Sequence, residues 1–199
     1  EAGLMLLPVV VALYFKEWPC ACAYAFTAGL LAVISYFLIR LRVSTRTIYS
    51  REGLVAVALG WAVLSLGGAL PFVFSGEIPS LVDAFFETVS GFTTTGASIL
   101  SEVESLPRCM LMWRSFTHWV GGMGVLVFIM AFIPLSGGQN MHIMKAESPG
   151  PSVSKLVPRV KTTALILYSI YLVLTLVQFI LLLCGKMNPF EALATTFGT

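Results

Sequence analysis

An all-α membrane fold is what this sequence predicts, built from repeated units of long helix, short re-entrant helix, Thr/Gly turn and long helix. Three observations predict it. The chain is 57% hydrophobic and only 11% charged, with a mean hydropathy of +0.89, which falls in the membrane class rather than the soluble one. Four apolar runs reach the roughly 20 residues that a transmembrane helix needs. Between the second and third of them lies a segment too short to cross, followed by a polar turn, Phe92-Thr93-Thr94-Thr95-Gly96-Ala97-Ser98.

The elements follow in order. An apolar run over 4–15 is short for a span, lacks a preceding basic region and a small-residue cleavage site, and is expected to be a spanning helix whose start is missing rather than a signal peptide. The four full-length runs are 20–39, 54–74, 111–133 and 162–183. The chain divides into two N-terminal helices over 1–40, a basic loop over 41–51, a first unit over 52–135, a connector over 136–158, and the start of a second unit over 159–199. Without an initiator Met, and with a helix opening over 188–197, the expectation is a piece of a larger membrane protein that does not by itself enclose a pore.

Charge sets the orientation. Arg40, Arg42, Arg46 and Arg51 lie in one loop, and Lys145, Lys155, Arg159 and Lys161 in another, so eight of the twelve basic residues fall in two loops. The positive-inside rule places the Arg40–Glu52 and Gln139–Lys161 loops in the cytoplasm. The opposite loops carry Glu17, Glu77, Glu102 and Glu104. The net charge of +2 is therefore a topology signal, and no nucleic-acid partner is expected. Cys20 and Cys22 form a C-x-C without a nearby third ligand, so Cys20, Cys22, Cys109 and Cys184 are read as apolar packing, with no disulfide inferred.

The turn carries the chemistry. Irregular backbone at membrane depth is tolerated only where it is buried in protein or lines a water-filled path, and carbonyls and Thr hydroxyls there can replace the hydration shell of a cation. An ion pathway follows, with the short helix 80–91 aiming its partially negative C-terminus at residues 93–98. Thr94 and Thr95 are the expected carbonyl donors, Gly96 supplies the permissive backbone angle, and Thr93, Ala97 and Ser98 flank them. Asp83 and Glu87, four apart on one face, are candidates for the pathway mouth or for support, with Asp83 favoured as a helix-start residue. Arg114 and His118, four apart on the next helix, are support candidates; Arg114 either reaches the interface or pairs with Glu87. Gly121, Gly122 and Gly124 allow close helix approach, and Trp61, Trp113 and Trp119 are interface or packing aromatics.

The unit repeats weakly. An offset of 105 residues places Asn188 on Asp83, Phe197 on Phe92 and Thr199 on Thr94, and Gly76 to Pro79 and Gly185 to Asn188 punctuate the two copies. Repeats of this kind build central pathways by symmetry.

Together with Trp113-Arg-Ser-Phe-Thr-His-Trp-Val-Gly-Gly-Met-Gly124, the 92–98 turn resembles the Trk/Ktr/HKT superfamily of cation transporters, most closely its TrkH/TrkG-type bacterial potassium-uptake membrane subunits. The resemblance implies four helix–pore helix–filter loop–helix repeats around one K+ channel-like pore, of which this chain would hold one complete repeat and part of a second. It implies K+ as the transported ion, held at Thr94 and Thr95, with no organic cofactor in this chain. A glycine at position 96 goes with K+ passage in the family, where serine in some plant relatives favours Na+. It also implies a bacterial inner-membrane location, a homodimer embedded in lipid, and a cytosolic nucleotide-binding regulatory subunit.

K+ permeation competes with H+- or Na+-coupled symport, or Na+ transport, on the same fold; coupling would draw on His118, Glu87 or Asp83. A membrane-embedded enzyme would gather a nucleophile, acids and bases or a metal motif, and none is visible here, so no enzymatic activity is expected. A purely structural subunit leaves the Thr/Gly turn unexplained.

Overall fold

The computed structural model describes residues 1–40, 50–136 and 156–199. Its helices among the described residues are α1 (Leu6–Tyr14), α2 (Trp18–Arg40), α3 (Ser50–Ser75), α4 (Leu81–Phe92), α5 (Arg108–Ser136), α6 (Leu156–Cys184) and α7 (Pro189–Gly198), with a 3₁₀ turn over Val103–Ser105 before α5. No strand occurs among the described residues. Trp18–Arg40, Val55–Ser75 and Ala164–Cys184 are long and apolar enough to cross a membrane, and α5 covers the remaining predicted span.

The short helix expected over 80–91 is found one residue later, because Ser80 is its N-cap. The Ser80 hydroxyl accepts the Asp83 N–H at 3.4 Å, and Asp83 sits in the first turn, where a negative charge suits the helix dipole. Two boundaries differ from the sequence reading. α3 begins at Ser50, inside the expected 41–51 loop, and α6 begins at Leu156, inside the expected 136–158 connector. Pro158 falls in the first turn of α6, where a missing N–H leaves no helical bond unmade, so it does not delay the helix. Most of both basic loops lies outside the described residues.

The chain forms two compact units, Glu1–Trp119 with Phe197–Thr199, and Val120–Thr196. In the first, α1 packs on α2, α2 on α3, and α3 on α4. Tyr24, Phe72, Phe92 and Trp113 are fully buried at its centre. Trp113 donates its indole N–H to the Gly68 carbonyl at 3.0 Å and meets Phe92 and Tyr24 edge-on. The indole is thus core packing with its polar handle satisfied. Close helix contact depends on Gly68 and Gly91. A Cβ on Gly68 would lie 2.7 Å from Thr88 Cγ2, and one on Gly91 only 2.2 Å from Thr117 Oγ1. Gly91→Ala is expected to cost about 1–3 kcal/mol through this overpacking, read as a lower melting temperature of the detergent-solubilised full-length protein; adding Thr117→Ala should recover part of the loss.

The turn between α1 and α2 fastens the start of α5. Lys16 adopts a left-handed φ of 61°, bringing Glu17 to the α5 N-terminus, where its carboxylate accepts the N–H groups of Arg108 (2.9 Å) and Cys109 (3.0 Å). Two amides that a helix start leaves unpaired are thereby satisfied by an anion. Glu17→Ala is expected to destabilise the fold by about 1–2 kcal/mol, measured in the same thermal assay, whereas Glu17→Gln should retain part of the capping.

In the second unit, Gly122 meets α6: a Cβ there would lie 2.7 Å from the Tyr171 hydroxyl. α6 carries large apolar side chains on most of its circumference, Leu165, Ile166, Val173 and Leu181 among the exposed ones, as a lipid- or helix-facing segment does. The predicted punctuation between long and short helix is present in both copies, with one difference. After α3 the left-handed residue is Gly76 (φ 81°), but after α6 it is Lys186 (φ 63°) rather than Gly185.

Candidate functional site

The candidate site is the irregular segment that leaves the C-terminus of α4, called the strand below although it pairs with no neighbour in a sheet. The helix closes through the Thr93 N–H, which donates to Val89 O at 2.8 Å; the Thr94 N–H then donates to Gly91 O at 3.0 Å and the Thr95 N–H to Ser90 O at 2.9 Å. This last turn curls the chain over the helix end. Two residues hold left-handed angles there, Thr94 (φ 56°) and Gly96 (φ 75°). For glycine this is ordinary, but for a β-branched residue it is a local strain that surrounding contacts must hold.

Hydroxyls supply part of that hold. The Thr94 hydroxyl donates to Thr93 O at 2.7 Å, the Thr93 hydroxyl donates to Val89 O at 2.7 Å, and the Thr93 and Thr95 hydroxyls lie 2.8 Å apart. Residues 93–99 are exposed. Among the described residues, no hydrogen bond occupies the carbonyls of Thr94, Thr95 or Gly96. The α4 C-terminus adds its partial negative charge at the same place. The result is a short exposed run of acceptors with no donor of its own, which is a surface suited to a cation.

The back of the strand is tied to α4. The Ser90 hydroxyl donates to Ala97 O at 2.5 Å. The buried Glu87 carboxylate accepts the Ser98 hydroxyl at 3.0 and 3.1 Å and the Ile99 N–H at 3.2 Å, and it forms an ion pair with the Arg114 Nε. The Glu87 side chain is 1% exposed and Arg114 18%, so each charge would be costly alone and the pair holds both. Arg114 belongs to α5, and its backbone carbonyl accepts the Thr117 hydroxyl (2.6 Å) and contacts His118 Nδ1 (2.9 Å).

Comparison with known proteins gives the family. A family profile described as TrkH, cation transport protein, matches residues 24–190. The chain belongs to the TrkH family. It is similar over its whole length to the Trk system potassium uptake protein TrkH of Escherichia coli K12, at 40% identity, and over 98% of its length to the TrkG protein of the same organism, at 32%. The fold matches the crystal structure of the potassium transporter TrkH from Vibrio parahaemolyticus with a TM-score of 0.79 at 31% identity, covering 98% of this chain and 39% of that one. The chain spans 41% of the length of the TrkH and TrkG relatives.

Within this TrkH-family chain, the fold joins residues that the sequence offered separately. Glu87, Ser98 and Arg114 form one cluster, whereas His118 contacts only the backbone carbonyl of Arg114. Asp83 stands apart, at the opposite end of α4 from the 93–98 strand, as a helix-start residue. Ser90 and the Ile99 N–H were not among the candidates. The signal that could have found Ser90 is its spacing from Glu87: three residues on, it shares the helix face that looks at the returning strand.

Proposed function

We propose that this chain forms part of the pore of a K+-uptake transporter, with the carbonyls of Thr94, Thr95 and Gly96 as one wall of the selectivity filter and Thr93, Ala97 and Ser98 as its flanks. The observation that carries the reading is the exposed strand at the α4 C-terminus, whose three unoccupied carbonyls stand on two left-handed residues. K+ at Thr94 and Thr95 would exchange its water shell for these oxygens. The relatives named as potassium uptake proteins support the ion. Further strands, from chain beyond this sequence, would complete the ring.

The Arg40–Glu52 and Gln139–Lys161 loops face the cytoplasm in this reading, which puts the 93–98 strand and the α5 start toward the outside of a bacterial inner membrane. The Trk-system names of the relatives support a multi-component assembly; a homodimer in lipid with a cytosolic nucleotide-binding regulatory subunit is the proposed form. Permeation is favoured over H+ coupling and over catalysis because Glu87 is engaged in holding Ser98 and Ile99 and in pairing with Arg114, and His118 Nδ1 lies against a backbone carbonyl of its own helix.

Radioactive rubidium uptake by the full-length protein, expressed in cells deficient in K+ uptake, tests the reading. K+ should compete for uptake and Na+ should not. Equal competition by Na+, or no uptake above background, overturns it.

A further inference from the structure

Cys20 and Cys109 stand 89 residues apart in sequence, yet the fold sets them against each other. Cys20 lies in the first turn of α2 and Cys109 in the first turn of α5. Both are buried, and the fold brings the two helix starts together: the Glu17 carboxylate, three residues before Cys20, accepts the Cys109 N–H at 3.0 Å. The neighbouring turn repeats the contact: the Tyr24 hydroxyl donates to Met110 Sδ at 3.0 Å. Cys22 and Cys184 are exposed and have no such neighbour among the described cysteines. Packing alone explains one small buried sulfur, but not two from distant segments meeting at one point.

We propose that Cys20 and Cys109 form a disulfide that pins α2 to the start of α5. The inference rests on the orientation proposed above, in which both helix starts face the oxidising side of the membrane, where disulfides persist. An oxidised dithiol carrier protein accepts the electrons. One cysteine thiolate attacks the carrier disulfide and releases a carrier thiolate; the second cysteine then displaces the carrier. Two protons and two electrons leave the pair, one S–S bond forms, and the carrier ends as a dithiol. The crosslink closes a long loop, the case in which chain entropy gives a disulfide most effect. Its mechanical consequence runs along α5, since Arg114 lies little more than one turn beyond Cys109 and holds Glu87 behind the 93–98 strand.

The test uses the full-length protein in its own membranes, with Cys22→Ser to remove the other thiol of the α2 peptide. Free thiols are blocked with N-ethylmaleimide under denaturing conditions, and tryptic peptides are analysed with and without reduction. Cleavage after Lys16, Arg40, Arg108 and Arg114 gives peptides 17–40 and 109–114. They should appear joined, and separate only after reduction. In a second sample a Ser101→Cys reporter, in the exposed loop before α5, is treated with a membrane-impermeant maleimide on intact cells. If both peptides carry N-ethylmaleimide without reduction while the reporter labels from outside, the disulfide is wrong and the orientation stands. Separate, N-ethylmaleimide-carrying peptides together with reporter labelling only after permeabilisation overturn both the orientation and the disulfide.

Discussion

Gly96→Ser is expected to lower K+ uptake roughly tenfold and to raise Na+ permeation. Nothing lies within 4 Å of a Cβ built on Gly96, so the effect is not steric crowding. It comes from the backbone: φ is +75°, and an L-residue there costs about 1–2 kcal/mol, close to the 1.4 kcal/mol that corresponds to a factor of ten. The chain relieves that strain by rotating the adjoining peptides, and those peptides carry the proposed ligands. Gly76 provides the control. It has a similar φ of +81° and equally open space, but it sits in the turn after α3, away from the strand. Gly76→Ala should therefore cost comparable stability and leave K+/Na+ discrimination unchanged. Competition of rubidium uptake by each cation, normalised to protein in the membrane, checks both variants. Equal selectivity shifts in the two would remove Gly96 from the filter.

The second large effect is expected at Glu87. Glu87→Ala leaves Arg114 with a mostly buried guanidinium and no carboxylate, and takes the acceptor from the Ser98 hydroxyl and the Ile99 N–H. Removing one partner of a buried pair costs about 3–5 kcal/mol, so this variant should lose most uptake and melt well below the wild type in detergent. Replacing both charges, Glu87→Leu with Arg114→Met, should return much of the stability, because well-packed apolar side chains can take the place of a buried pair. It should not return selectivity, because the strand has lost its tether. A double variant that recovers both stability and K+/Na+ discrimination would show that the pair only fills space.

Much of this was legible in sequence because it is local. Spans are set by runs of apolar residues, and the short helix by Ser80 at its start and the Thr/Gly turn at its end. Gly96 announces its own backbone freedom. Thr94 does not: a β-branched residue gives no sign of a left-handed angle, which here is held by the helix end and by neighbouring hydroxyls. Lys16 and Lys186 hide their left-handed angles in the same way, in tight helix ends where the sequence pointed to glycine or to nothing. The Glu17 cap on α5 and the Tyr24–Met110 contact beside Cys20 and Cys109 join segments about ninety residues apart, and no pattern of spacing encodes such pairs. Part of the site fell between these cases. Glu87 and Arg114 were visible as charges in an apolar chain, and their pairing was one of two readings, but their joint grip on Ser98 and Ile99 is a product of the fold.

The two tethers behind the strand, Glu87 and Ser90, also govern how this stretch can change over evolutionary time. They lie three residues apart on one helix and grip Ala97, Ser98 and Ile99 across a fixed count of intervening residues. One residue added to or removed from α4 between a tether and the turn rotates the gripping side chains by about 100° and detaches the strand as a whole. A substitution leaves that count unchanged. Lineages of this protein should therefore hold the length of 87–99 constant even where residues other than Glu87 and Gly96 differ, and insertions should gather after Leu100, in the loop leading to α5.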